Sequence, residues 1–165
     1  ADDIIATLVK YYYQSEPIMI VSGDKDFIQL QRFKNVEQYA PIQKKVVGDD
    51  VDPKNFLIEQ ILKGDRSDGV PNVLSPDDIF VTGEKQKPVT KKRIHELGLL
   101  RSFDRQIQKN IDRNIQLIDL TKIPNVYEDA IINSYRRYKK NDRSKLLTYF
   151  IENKLKSLME NIGDF

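Results

Sequence analysis

No cysteine occurs in the 165 residues, and histidine occurs once, at His95. A disulfide framework and a thiolate zinc site are therefore excluded, and a histidine-rich transition-metal site with them. Any metal would be held mainly by oxygen, which suits Mg²⁺, Mn²⁺ or Ca²⁺. Long apolar runs are missing as well. None approaches the roughly 18 residues of a membrane-spanning helix, so no membrane partner is expected. Nor is there a large excess of one charge: 27 Lys and Arg against 25 Asp and Glu leave +2. The arrangement says more than the sum, because acids cluster early and basic residues gather from Lys85 onward. The opening Ala1-Asp2-Asp3 puts acids where a secretory signal carries its basic segment. The chain starts on a helix with no strand before it, and is read as the C-terminal portion of a longer protein. Its length suits one domain or one and a half, enough for a sizeable core.

What is present is organised around residues 18–27. Ile18–Val21 reads as a buried strand. Ser22-Gly23 breaks the run, Asp24 and Asp26 follow, and Phe27 to Leu30 continue as a short helix over about 25–31. Before this, Asp2 or Asp3 is expected to cap a helix to about Gln14, with Ile4, Ile5, Leu8, Val9 and Tyr12 on one face. After it, residues 36–39 and 44–47 read as short strands paired across 40–43. Asp52-Pro53 reads as a helix start and Gly64 as its end. Residues 69–88 read as a loop. Thr90 caps a short helix that Gly98 ends. Phe103, Ile107, Ile111, Ile115 and Ile118 recur at helical spacing, Pro124 stops that segment, and two more helices are expected over about 126–139 and 143–161. The expected fold class is α/β, mostly helical: the end of a parallel sheet followed by helices.

The acids suggest a chemistry. Ligands of open α/β sheets sit at the carboxyl ends of strands, which is where Asp24 and Asp26 fall. Asp2 and Asp3 lie at a helix start, and Asp65 and Asp68 in the turn Gly64–Gly69. Carboxylates from three separate elements converging on one spot would suit divalent cations, and two such ions about 4 Å apart can drive phosphodiester displacement. Taken singly, each aspartate has an ordinary structural use as a cap or turn former; the joint occurrence carries the argument. Lys85, Lys87, Lys91, Lys92 and Arg93 surround Thr90 at a helix N-terminus, where backbone N–H groups favour phosphate. A solvated basic helix face is the plainer alternative. Arg136, Arg137, Lys139 and Lys140 form a second basic run of lower weight.

Ala1–Ala6, Val21–Leu30 and Gly64–Val73 together resemble the three C-terminal motifs of the 5′ nucleases, the flap endonucleases and 5′–3′ exonucleases. Within that family the chain is most similar to the ribonuclease H enzymes of T-even bacteriophages, which remove RNA primers during DNA replication. The resemblance implies a division into residues 1–50, the C-terminal part of a metal-dependent nuclease core, and residues 51–165, a helical DNA-binding subdomain with a helix–three-turn–helix motif over about 52–97. It implies metal roles for Asp2, Asp3, Asp24, Asp26, Asp65 and Asp68, with Asp2, Asp24 and Asp26 catalytic. Two Mg²⁺ or Mn²⁺ ions are expected per intact site. Lys85, Lys87, Thr90, Lys91, Lys92 and Arg93 would contact DNA. The implied partners are duplex DNA with a 5′ flap or an RNA–DNA hybrid, and the phage single-strand-binding protein or sliding clamp, in the host cytoplasm. The motif's leading glutamate would fall just before Ala1, and residues 74–88 replace a shorter glycine-rich link. The alternatives are a catalytically incomplete DNA-binding fragment and, less favoured, an Asp-x-Asp magnesium-dependent phosphatase.

Overall fold

Helix α1, Asp2–Tyr12, leads the chain in the computed structural model, which describes residues 1–48, 50–99, 102–138 and 145–164. Its N-cap is Ala1, with no side-chain capping bond, so neither Asp2 nor Asp3 caps it as expected; both lie in its first turn. Its most buried residues are Ala6, Thr7 and Val9; of the expected face, Val9 is buried and Ile5 packs against the core, while Ile4 is exposed. The strand β1, Ile18–Val21, alternates instead of being wholly buried: Ile20 is covered, while Met19 and Val21 are exposed. Alternation is what a strand shows when only one sheet face is packed.

The sheet has the order β1-β2-β3, with β2 at Val36–Ala40 and β3 at Lys45–Val47. β1 and β2 run parallel, with Ile18 opposite Val36 and Val21 opposite Tyr39. β2 and β3 are antiparallel, as the short turn between them requires. Among the described residues the sheet is thus mixed and small, not purely parallel. Between β1 and β2 the expected short helix is a 3₁₀ helix, Lys25–Arg32. It lays Phe27 and Leu30 onto α1 and β1, in a first core with Ala6, Val9, Ile20 and Val36.

A second core is helical. The helix α2, Pro53–Lys63, begins as its sequence predicts: the Asp52 carboxylate accepts from the Lys54 amide, and proline stands in the first turn. The expected loop over 69–88 contains one short helix, α3, at Ile79–Thr82. The helix α4 spans Lys91–Leu99, passing Gly98, which was expected to end it. In α5, Arg105–Ile118, Asp104 accepts from the amides of Gln106 and Ile107. Leu57, Ile61 and Leu62 of α2 pack with Val73, Leu97 and Ile111, and Ile107, Ile115 and Ile118 of α5 close around them.

Polar residues stitch this core. Asn114, fully buried, donates through Nδ2 to the carbonyls of Ile61 (2.7 Å) and Pro71 (2.9 Å). Asn110 does the same for Val73 and Ser75. The end of α2 and the segment after it are thereby tied to α5 at four carbonyls. The Ile61 carbonyl cannot be served by the Asp65 amide, which bonds to Val70 instead. Replacing Asn114 by alanine would leave it buried and unpaired. We expect Asn114→Ala to cost about 2–4 kcal/mol, read as a lower urea midpoint; a change within 0.5 kcal/mol would contradict this role.

The helix α6, Asn125–Arg137, follows Pro124 and buries Ile132. The described residues group into two compact units, 1–132 and 133–165. In the second, the helix expected over 143–161 is two helices, α7 at Leu146–Glu152 and α8 at Lys156–Glu160. Lys154 between them takes a positive φ of 54°, which ends α7 as a left-handed residue does. Lys139, Lys140 and the first residues of that expected helix lie outside the described residues. No helix among the described residues is long and apolar enough to cross a membrane.

Candidate metal centre

The turn Ser22–Asp26 is fixed from below. The buried Gln38 of β2 donates through Nε2 to the carbonyls of Ser22 (2.8 Å) and Asp24 (2.6 Å). Asp24 is the N-cap of the 3₁₀ helix, its Oδ1 accepting from the Asp26 amide at 3.0 Å. Capping thus engages Asp24 and turns Asp26 into the helix's first turn, where the packing of this helix against α2 carries its carboxylate towards the end of α2.

The second half of the centre comes from the turn after α2. Gly64 has φ 67° and ψ −175°, a region open essentially to glycine alone. The chain then closes on itself through Asp65 and Val70, each amide bonding the other's carbonyl. Within this loop the Asp65 Oδ1 accepts from the Ser67 amide (2.7 Å), the Ser67 hydroxyl (2.5 Å) and the Asp68 amide (3.3 Å). An aspartate that organises its own turn in this way is the usual structural use of the residue.

The two halves meet. Asp26, Asp65 and Asp68 each present a carboxylate oxygen within 4.8 Å of the others. Asp2 and Asp3 line the same cleft of about 300 Å³, with Gln60 of α2. Of the six aspartates read from the sequence, three form the cluster, two border it, and Asp24 lies outside the lining as a cap. Burial raises the Asp26 pKa, a Gln60 hydrogen bond opposes this, and the charges of Asp24, Asp65 and Asp68 raise it further. Asp65 is held low, first by the Ser67 hydroxyl, against a small burial penalty. A cluster of carboxylates this close resists full ionisation unless a cation joins it. The donor set is all oxygen, so it fits a hard divalent ion and offers nothing to a soft one.

The basic residues form a separate feature. Lys85, Lys87, Thr90, Lys91, Lys92 and Arg93 are all exposed. Thr90 Oγ1 accepts from the Arg93 amide at 3.3 Å, as an N-cap does, and Arg93 pairs with Glu96. The buried Asn72 links this segment to the acidic turn. Its amide donates to Gln86 Oε1 (2.7 Å) and its Nδ2 to the Lys87 carbonyl (2.8 Å). His95 is exposed.

Sequence reasoning missed the amides: Gln38, Gln60, Asn72, Asn110 and Asn114. Two left a signal. Asn110 and Asn114 occupy the same stripe of α5 as Ile107, Ile111 and Ile118, and a polar residue inside an apolar stripe needs a buried partner.

A family model described as the C-terminal part of T4 RNase H matches residues 52–165, and the chain belongs to that family. It is 31% identical over 179 aligned positions to the ribonuclease H of Enterobacteria phage T4, across the whole of this chain and 57% of that protein. The chain thus spans a little over half the length of the relative. The resemblance drawn from the three acidic motifs is upheld at the level of the family.

Proposed function

We propose that this chain is the C-terminal portion of a divalent-metal-dependent 5′–3′ exonuclease and flap endonuclease that removes RNA primers or 5′ flaps during phage DNA replication. The single observation that carries the reading is the convergence of Asp26, Asp65 and Asp68 within 4.8 Å. These three would hold Mg²⁺ or Mn²⁺, with Asp2 and Asp3 at the border of the same cleft and Asp24 supporting through its cap. When bound, such ions activate water and offset the charge of a phosphodiester under attack. The protein's own share is positional. Gln38 and the Asp24 cap fix Asp26, and Gly64 with the Ser67 donors fixes Asp65 and Asp68.

Helix α2, the turn over 64–73 and α4 would form the helix–three-turn–helix, gripping duplex DNA beside a 5′ flap or an RNA–DNA hybrid. Lys85, Lys87, Lys91, Lys92 and Arg93 would add sequence-independent, salt-sensitive affinity, and Thr90 at the α4 N-terminus a phosphate seat. Asn72 holds this segment against the acidic turn, so the backbone grip and the acids would keep a fixed spacing. Contacts with a phage single-strand-binding protein or clamp, and action in the host cytoplasm, belong to the same reading.

The test is cleavage of a labelled 5′-flap duplex by the chain, with Mg²⁺ or with EDTA, beside Asp68→Asn. Asp68 is exposed, so its substitution should leave the fold intact. We expect cutting only with Mg²⁺, reduced about 10–100-fold in the variant. Salt-sensitive binding without cutting would instead favour a DNA-gripping fragment that needs further acids. Cutting that persists in EDTA would overturn the metal reading.

A further inference from the structure

Gln60 stands on α2 between the core residues Leu57 and Ile61, and its side chain borders the acidic cleft. Its Nε2 donates to Asp26 Oδ1. Its Oε1 is buried and has no hydrogen-bond partner among the described residues. A buried carbonyl oxygen without a donor is uncommon, and here it belongs to a residue already bonded to one of the three clustered acids. The residue type also matters. A lysine or arginine would supply the same donor with a positive charge, and would compete with a cation for Asp26. A primary amide donates while staying neutral, and it brings an acceptor as well.

We infer that Gln60 is a positioning residue for a divalent cation: its N–H holds the Asp26 carboxylate within reach of Asp65 and Asp68. Groups that orient a metal's carboxylate ligands commonly change metal affinity 10–100-fold. The inference rests on the cation-binding reading above.

The experiment titrates Mn²⁺ into the chain and into Gln60→Met by calorimetry, and melts both in EDTA. Methionine keeps the length and loses donor and acceptor together. The expected result is Mn²⁺ affinity lowered about tenfold or more, with the EDTA melting temperature held. Equal Mn²⁺ affinity in the two proteins would overturn the inference and leave the cation site standing. A lowered EDTA melting temperature with affinity retained would overturn it too, by making Gln60 a packing residue. If the wild-type chain binds no Mn²⁺, the cation reading itself fails, which is a separate outcome. Should Gln60→Met not fold, the Gln60 side-chain amide signal of the wild-type chain decides. Its shift should follow Mg²⁺ addition to saturation, and a signal that stays in place would overturn the inference.

Discussion

Gly64→Ala is expected to unfold the turn that carries two of the three clustered acids, at a cost of about 3–5 kcal/mol. Two effects add. The backbone at φ 67° and ψ −175° is strained for any residue with a Cβ, by about 1–3 kcal/mol. The new Cβ would also stand 2.3 Å from the Val70 carbonyl oxygen and 2.6 Å from the Pro71 carbonyl carbon. Both neighbours are backbone, and they are held: Val70 by its paired bonds to Asp65, and Pro71 by Asn114 and Arg113 at its carbonyl. The overlap cannot be relieved by a side-chain rotation. The Asp65–Val70 closure must open, and Asp65 and Asp68 would leave Asp26 with it. The variant should therefore melt on the order of 10 °C lower, at roughly 2–4 °C per kcal/mol for a chain of this size, and lose its Mn²⁺-dependent stabilisation. Gly69 is the internal control. It also has a positive φ, 73°, yet a Cβ there meets nothing within 4 Å among the described residues, so Gly69→Ala should cost only about 1–2 kcal/mol. Gly64→Ala melting as high as Gly69→Ala would show that the closure does not depend on the missing Cβ.

The parts of this fold that were legible in the sequence are those whose causes are local. Asp52, Pro53 and Gly64 mark both ends of α2 within a dozen residues. The α5 stripe from Phe103 to Ile118 repeats often enough to fix its length and face. The pairing of β2 with β3 follows from the short turn between them. What failed depended on partners far along the chain. The strand β1 has four apolar residues, and nothing in it says that only one face is covered. In α1 the core takes Val9 and Ile5 of the expected face together with Ala6 and Thr7, and leaves Ile4 exposed. Gln60 meets Asp26 across 34 positions and Asn114 meets Ile61 across 53, separations at which neither side-chain amide announces its partner. The acids could be named because their motifs are short. Their spacing could not, because it is set by how α2 packs on the 3₁₀ helix. Asp24 shows the difference. It stands beside Asp26 in sequence and its charge acts on Asp26, yet its Oδ1 is spent on the Asp26 amide as a cap and it does not line the cleft.

Asp26→Asn should move stability in opposite directions according to whether a divalent cation is present. In EDTA the native carboxylate is costly. Burial raises its pKa, the Gln60 donor only partly compensates, and Asp24, Asp65 and Asp68 add repulsion. A carboxyl whose folded pKa lies above its unfolded value is neutral in both states at low pH. It begins to destabilise as pH climbs through the unfolded value, near 3.9, and the full cost is in place above the folded value. The amide cannot ionise, and its oxygen can still accept from Gln60. The variant should therefore match the wild type in acid and exceed it near neutrality. Asp26 is only partly buried, so solvent screening limits the gain to about 0.5–1 kcal/mol, or about 1–4 °C. With saturating Mn²⁺ the order should reverse. A bound cation stabilises the wild type by an amount that grows with the logarithm of concentration over Kd, about 2.7 kcal/mol at 100-fold excess, and the variant forfeits most of this together with cleavage. Melting curves at pH 4 and pH 7.5, each with EDTA and with Mn²⁺, separate the effects. A variant that is less stable than the wild type in EDTA at pH 7.5, yet gains as much from Mn²⁺, would mean that Asp26 is a structural aspartate and that any cation is held without it. The opposite-signed pair of shifts is what a site gives when it keeps a destabilising charge for the ligand that neutralises it.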